Sequence, residues 1–161
     1  MAKAKNAIPA GVNTVTPFLT LKDAKAAIKF YKEAFGAEEI SIMEIDGRVM
    51  HAHIKIGNSA IYMGEECAER GKLGAESRGF ATSALLIYTE DVDAAFNKAV
   101  KAGCKVVMPV ADMFWGDRYC HVTDPFGQEW SIATHKEDLT PEQIEANFHE
   151  MVKNMTACAS K

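Results

Sequence analysis

The chain lacks any apolar run near the roughly 20 residues a membrane-spanning helix needs, so no segment reads as a span. It also lacks an excess of positive charge: 18 Lys and Arg stand against 22 Asp and Glu, a net charge of −4. That balance excludes nucleic acid and anionic membrane as the main partner. No G-x-G-x-x-G loop is present, so nothing marks a dinucleotide or S-adenosylmethionine site. The four cysteines, Cys67, Cys104, Cys120 and Cys158, show no C-x-x-C spacing or regular framework, and read as free thiols of a cytoplasmic protein. The first residues, Met1 to Asn6, are basic but have no apolar stretch behind them, unlike a secretory signal. What the chain does have is 161 residues at 48% hydrophobic content, enough for one globular domain with its own core.

A long internal repeat organises that domain. Arg48-Val-Met-His51 and Gly57 recur seventy positions on as Arg118-Tyr-Cys-His121 and Gly127, and Asp23 falls on Asp91 at an offset of sixty-eight. A repeat of this length is a whole supersecondary unit used twice, and two copies create a pseudo-symmetric cleft suited to a small molecule.

The elements read the same way in both copies. Residues 11–20 are rich in β-branched side chains, with Pro17 marking either an edge strand or a border between modules. Asp23 caps a helix that places Ala24, Ala27, Ile28 and Tyr31 on one face and ends at Gly36. Strands follow over 39–45, 48–56 and 59–63, with Asp46-Gly47 and Gly57-Asn58 as turns. Strict alternation in the second of these puts Met50, Ala52, Ile54 and Ile56 on one face and Val49, His51, His53 and Lys55 on the other. The first βαβββ module spans 10–65. Residues 66–80 carry no periodicity and read as a mobile linker. The second module, 81–137, has strands at 81–89, 105–110, 118–123 and 129–134 around a helix from Asp91 to Gly103, with Trp130 read as core. Thr140-Pro-Glu-Gln143 then starts a helix over 140–157 whose stripe is Ile144, Phe148, Met151 and Met155, leaving a frayed tail at 156–161. The fold class is therefore α+β: two tandem βαβββ modules with curled mixed sheets forming a cleft, plus a C-terminal helix.

Several spaced motifs agree in order with one family. Thr16-Pro-Phe-Leu19, Ala27-Ile-Lys-Phe-Tyr-Lys-Glu-Ala-Phe-Gly-Ala37, Met50-His-Ala52, Ile56-Gly57, Trp115-Gly-Asp-Arg118 and Asp124-Pro-Phe-Gly-Gln-Glu-Trp-Ser-Ile-Ala133 are the residues concerned. Over residues 10–139 the chain resembles the vicinal oxygen chelate superfamily (the glyoxalase, bleomycin-resistance and extradiol-dioxygenase fold), and within it the PhnB-like branch. The resemblance implies a homodimer. Metal-dependent members hold one divalent ion with His, Glu or Gln from the first and last strands of each module. Those positions fall near Thr16, Ile61, Ser83 and Ser131, none a usual ligand for such an ion, so the superfamily's metal site is expected to be absent. His51 and His53, two apart on one strand face, are the alternative pair for a relocated divalent metal, with Glu44, Glu129 or His121 as third ligand.

The expected cleft lining is Thr16, Phe18, His51, His53, Trp115, Arg118, His121 and Ser131. Arg118 beside Trp115 has the chemistry to hold a planar anion; the competing reading is an Arg–Asp brace. Two functions follow from different classes. One is a metal-free binding protein that sequesters a small aromatic or anionic molecule. The other is a lyase, isomerase or dioxygenase working through a relocated metal or a histidine acid–base.

Overall fold

A computed structural model of the chain describes residues 3–159, the last three by backbone alone. In the first module β1 (Phe18–Leu21) leads into α1 (Ala24–Phe35), then β2 (Glu38–Ile45), β3 (Arg48–Ile56) and β4 (Ser59–Glu65). The second repeats this with β5 (Ala84–Tyr88), α3 (Val92–Ala102), β6 (Lys105–Asp112), β7 (Asp117–Thr123) and β8 (Glu129–His135). Between them lies a four-residue helix, α2 (Ala75–Arg78), and after them α4 (Pro141–Ala159). Each module forms a four-stranded sheet, in the order β1-β4-β3-β2 and β5-β8-β7-β6. The outer pairs β1/β4 and β5/β8 are parallel and the others antiparallel.

The helix signals act as written. Asp23 accepts from the Ala26 amide and Asp91 from the Ala94 amide, each at 2.9 Å, satisfying donors the helix itself leaves free. Gly36 closes α1 at φ 69°, where a Cβ would be strained. In α4 the capping box is reciprocal: the Thr140 amide donates to Gln143 Oε1 at 2.8 Å, and the Gln143 amide to Thr140 Oγ1 at 3.3 Å. This helix rests on its own chain, with Phe148 against Phe114 at 5.3 Å. It continues to Ala159, past the expected end; residues 160–161 of the expected frayed tail, and the side chain of Cys158, lie outside what is described.

One hydrophobic cluster runs through both modules. Trp130 of β8 is fully buried, with ring centroids 5.2 Å from Tyr31 and 4.6 Å from Phe35, so α1 of the first module packs on the second. Asp124 fixes this seam. It is 2% exposed and accepts from Tyr31 Oη and Trp130 Nε1, both at 2.9 Å, and from the amides of Phe126 (2.8 Å) and Gln128 (2.9 Å). Burial pushes its carboxyl up from the ordinary carboxylate value, and the four donors pull it back only in part.

Three local expectations change. Strict alternation fails in β3, because Met43 pairs with His51 while Glu44 pairs with Val49, leaving Met50 unpaired as a β-bulge. Val49 is therefore fully buried and Met50 is 52% exposed, the reverse of the alternating pattern. Residues 66–80 are held rather than loose: Glu66 takes the Gly74 amide at 2.7 Å and Ser77 Oγ at 2.8 Å, and Cys67 and Lys72 exchange backbone bonds. Polar anchors hold this segment without any hydrophobic periodicity, so pattern alone could not show it. Third, β1 begins only at Phe18. Thr16 sits before it, half-buried, its hydroxyl donating to the Asn13 carbonyl at 2.9 Å.

Candidate functional site

Helices α1 and α3 pack on one face of the sheets and the histidine rows lie on the other, where α4 lines a groove together with Met108 and Ala111 of the second sheet. Strand register builds two matching rows, Phe18–Tyr62–His53–Ser41 in the first sheet and Leu86–Ser131–His121–Met108 in the second. His121 thus corresponds to His53, and Tyr119 to His51, at an offset of sixty-eight rather than seventy. Four residues separate the paired Lys55 and Ala60, whereas five separate Thr123 and Glu129. The seventy-residue match follows the turn glycines and slips against the ladder.

On the first face the rings of His51 and His53 each lie 4.9 Å from Tyr62, and Phe18 lies 6.0 Å from His51. His53 Nε2 is buried, with Tyr62 edge-on to its ring, and has no hydrogen-bond partner. A buried polar atom left so costs about 1–3 kcal/mol, which a bound group of the right kind would relieve.

The second face is polar and satisfied. Tyr119 Oη lies 2.6 Å from Ser131 Oγ, which lies 3.0 Å from His121 Nδ1; His121 Nε2 is 3.3 Å from Glu129 Oε2. At the end of the sheet Asp117 accepts from Tyr88 Oη (2.9 Å) and Trp115 Nε1 (3.0 Å) and pairs with His135 Nδ1 (2.8 Å). Trp115 stands edge-on to Tyr119 at 5.7 Å.

Arg118 points the other way. It makes a two-pronged contact with Asp93 of α3 (2.7 and 2.8 Å) and a third bond to Asp112 of β6 (3.1 Å), on the face opposite His121. The expected anion clamp is thus a brace between helix and sheet edge; these bonds hold its pKa above the ordinary arginine value. Of the expected lining, Phe18, His51 and His53 come together on the first face, and Trp115, His121 and Ser131 on the second. Thr16 and Arg118 join neither. Tyr62, Tyr119 and Glu129 do, and counting by two along each strand from His121 and Ser131 finds the last two.

No group of three His, Cys, Asp or Glu side chains among the described residues is arranged to hold a metal ion. Ile61, aligned with the superfamily's ligand position, is buried among the helix-side core, and the row position belongs to Tyr62. The donor set of one chain does not fit the superfamily's divalent ion. A further cavity of about 390 Å³ lies at the module seam, lined by apolar side chains (Val15, Phe35, Ile61, Leu85, Ile87) and polar ones (Asn13, Ser59, Thr89), and it reaches Leu86 at the end of the second row.

Asp117 and His135 give the fold a pH signature. Burial pushes the Asp117 carboxyl up, but bonds from His135, Tyr88 and Trp115 outweigh it and hold the carboxyl below the ordinary value. Hydrogen bonds to Asp117 and Asp138 lift His135. The depressed carboxyl contributes stability above the unfolded carboxylate value, lost as pH falls through the folded one. The raised imidazole contributes below the unfolded histidine value, lost as pH rises through the folded one. Stability is expected to peak between these limits, and His135→Ala to flatten the alkaline side in denaturant titrations at stepped pH. An unchanged alkaline limb would contradict it.

Residues 11–132 match the family described as the Glyoxalase/Bleomycin resistance protein/Dioxygenase superfamily. The chain belongs to that superfamily. An uncharacterized protein of Mycobacterium tuberculosis is 34% identical over 136 residues, covering 82% of this chain and 80% of that one. Among solved structures, a protein of Arabidopsis thaliana aligns with a TM-score of 0.62 at 30% identity, covering 75% of this chain and 98% of that one. A PhnB protein from Bacillus cereus aligns at 0.61 and 19% identity, covering 76% and 99%, a likeness of fold.

Proposed function

We propose that this superfamily member is a PhnB-like protein that binds a small aromatic or anionic molecule on its histidine-bearing sheet faces, without the usual superfamily metal. The observation that carries the reading is His53 Nε2, buried without a partner beside the ring of Tyr62, which in turn lies against His51. Stacking rings, two imidazoles and Lys55 one step further along the strand suit a planar anion. Burial pushes the Cys104 thiol up to about 12 and also raises that of Cys120, so neither of these two buried thiols competes as a nucleophile. Free thiols also fit a reducing compartment, the cytoplasm.

A homodimer completes the proposal. Phe18, Met43, Ile45, Leu86 and Val107, all on strands, are half or more exposed, and a second subunit would cover them. Sedimentation at micromolar concentration is expected to give twice the chain mass; a monomer throughout would remove this part.

The binding test uses benzoate, salicylate and indole-3-acetate with calorimetry. At least one is expected to bind, and His53→Ala to weaken it by about 10-fold or more, the worth of one buried hydrogen bond to a charged group. Arg118→Ala is expected to lower stability and leave affinity in the folded protein unchanged. Equal affinity in His53→Ala, or lost affinity in folded Arg118→Ala, would contradict the proposed site.

A further inference from the structure

We propose that the row Tyr119–Ser131–His121–Glu129 on the second sheet is a proton-transfer site for a small aromatic or conjugated carbon acid. It rests on the reading that ligands lie on the histidine-bearing faces, and adds chemistry to it.

Tyr119 Oη also lies 3.4 Å from His121 Nδ1, so two donor directions are open, and the three shorter contacts favour the following one. An ionised Glu129 only accepts, so His121 Nε2 carries the hydrogen in their 3.3 Å contact. In the neutral imidazole Nδ1 is then an acceptor, and Ser131 Oγ, at 3.0 Å, donates to it. With its proton so used, Ser131 accepts from Tyr119 Oη at 2.6 Å. Every donor points from Tyr119 toward Glu129. Ser131 is 5% exposed and cannot meet a ligand directly, whereas Tyr119 is only half-buried and its oxygen keeps a free lone pair. Tyr119 is therefore the contact atom and His121 the base that finally holds the proton. Glu129 is a positioning residue that fixes the tautomer and steadies the imidazolium.

In the forward step a substrate C–H proton passes to Tyr119 Oη. The tyrosine's own proton passes to Ser131 Oγ, and the serine's to His121 Nδ1; the C–H electron pair stays on the substrate. No oxidant, reductant or co-reactant is needed. The first sheet has no such chain at the corresponding row, where His53 Nε2 is unpartnered. The two faces of one repeat have thus diverged into a receptive one and a reactive one.

Two measurements test this. The first needs no substrate: ¹⁵N–¹H long-range spectra of the full-length protein, taken where the His121 ring is neutral, are expected to place its hydrogen on Nε2 and to show a changed tautomer balance in Glu129→Ala. Hydrogen on Nδ1 would overturn the relay. The second uses 5-nitrobenzisoxazole, a planar carbon acid whose C–H deprotonation breaks its N–O bond and releases a coloured phenolate. Turnover above that in free imidazole is expected. His121→Ala and Tyr119→Phe should each lower it about 100-fold, the usual scale of a positioned base, with probe affinity within about threefold. His149→Ala, on α4, is expected to leave it unchanged. Bound probe with unaltered turnover in His121→Ala would overturn the relay alone. Probe that fails to bind would take the ligand-face reading down with it.

Discussion

Replacing Asp124 with alanine is expected to lower the unfolding free energy by about 3–5 kcal/mol, among the largest single-residue losses in the chain. The carboxylate accepts four hydrogen bonds while almost fully buried, two from side chains and two from the amides of the turn between β7 and β8. Removing it leaves four donors facing apolar surroundings that include Phe126 and the ring of Tyr31. The loss spans both modules, because Tyr31 comes from α1 and Trp130 from β8. Tyr31→Phe removes one of the four donors and leaves the carboxylate in place, and is expected to cost about 1 kcal/mol. Urea titrations compare the two. A loss under about 1 kcal/mol for Asp124→Ala would mean that the seam is held by ring packing alone.

Gly116→Ala is expected to cost about 2–4 kcal/mol, from left-handed backbone strain and a close backbone contact together. Gly116 has φ 96°, and a Cβ there would fall 2.5 Å from the Glu137 carbonyl oxygen. The same residue accepts from the amides of Lys136 and Glu137 and donates to the Met113 carbonyl, each at 3.0 Å, so it cannot shift without breaking several bonds. Its neighbours on either side are Trp115 and Asp117, which orient Tyr88, Tyr119 and His135 at the end of the second face. Stability and the indole fluorescence of Trp115 are therefore expected to change together. A variant as stable as the parent would show that the segment after β8 can move aside.

How far the sequence speaks depends on whether a feature is set locally. Asp23, Asp91 and the Thr140–Gln143 box bond within four residues, so both helices after the first strands and α4 are legible from pattern. The bulge at Met50 is not, because it is decided by pairing with β2 and by Gly64 on β4, where a Cβ would fall 2.9 Å from the Met50 carbonyl oxygen. The same holds for the His53–His121 correspondence, which one extra residue in a turn displaces from the glycine-anchored repeat. Among site residues, His51, His53, His121 and Ser131 are legible as outward positions of apolar-backed strands. Arg118 misleads because its partners, Asp93 and Asp112, are 25 and 6 residues away and nothing local reveals them. Tyr119 and Glu129 are chemically ordinary until the ladder lines them up with His121 and Ser131.

The most direct test of the ligand-face assignment is a titration with indole-3-acetate followed in the imidazole ¹⁵N–¹H and methyl spectra of the intact protein. The account predicts shifts of the His53 and His121 rings that saturate together, with His149 on α4 unmoved. Shifts confined to the methyl groups of Ile61, Leu85 and Ile87 would place the ligand in the seam cavity and contradict it.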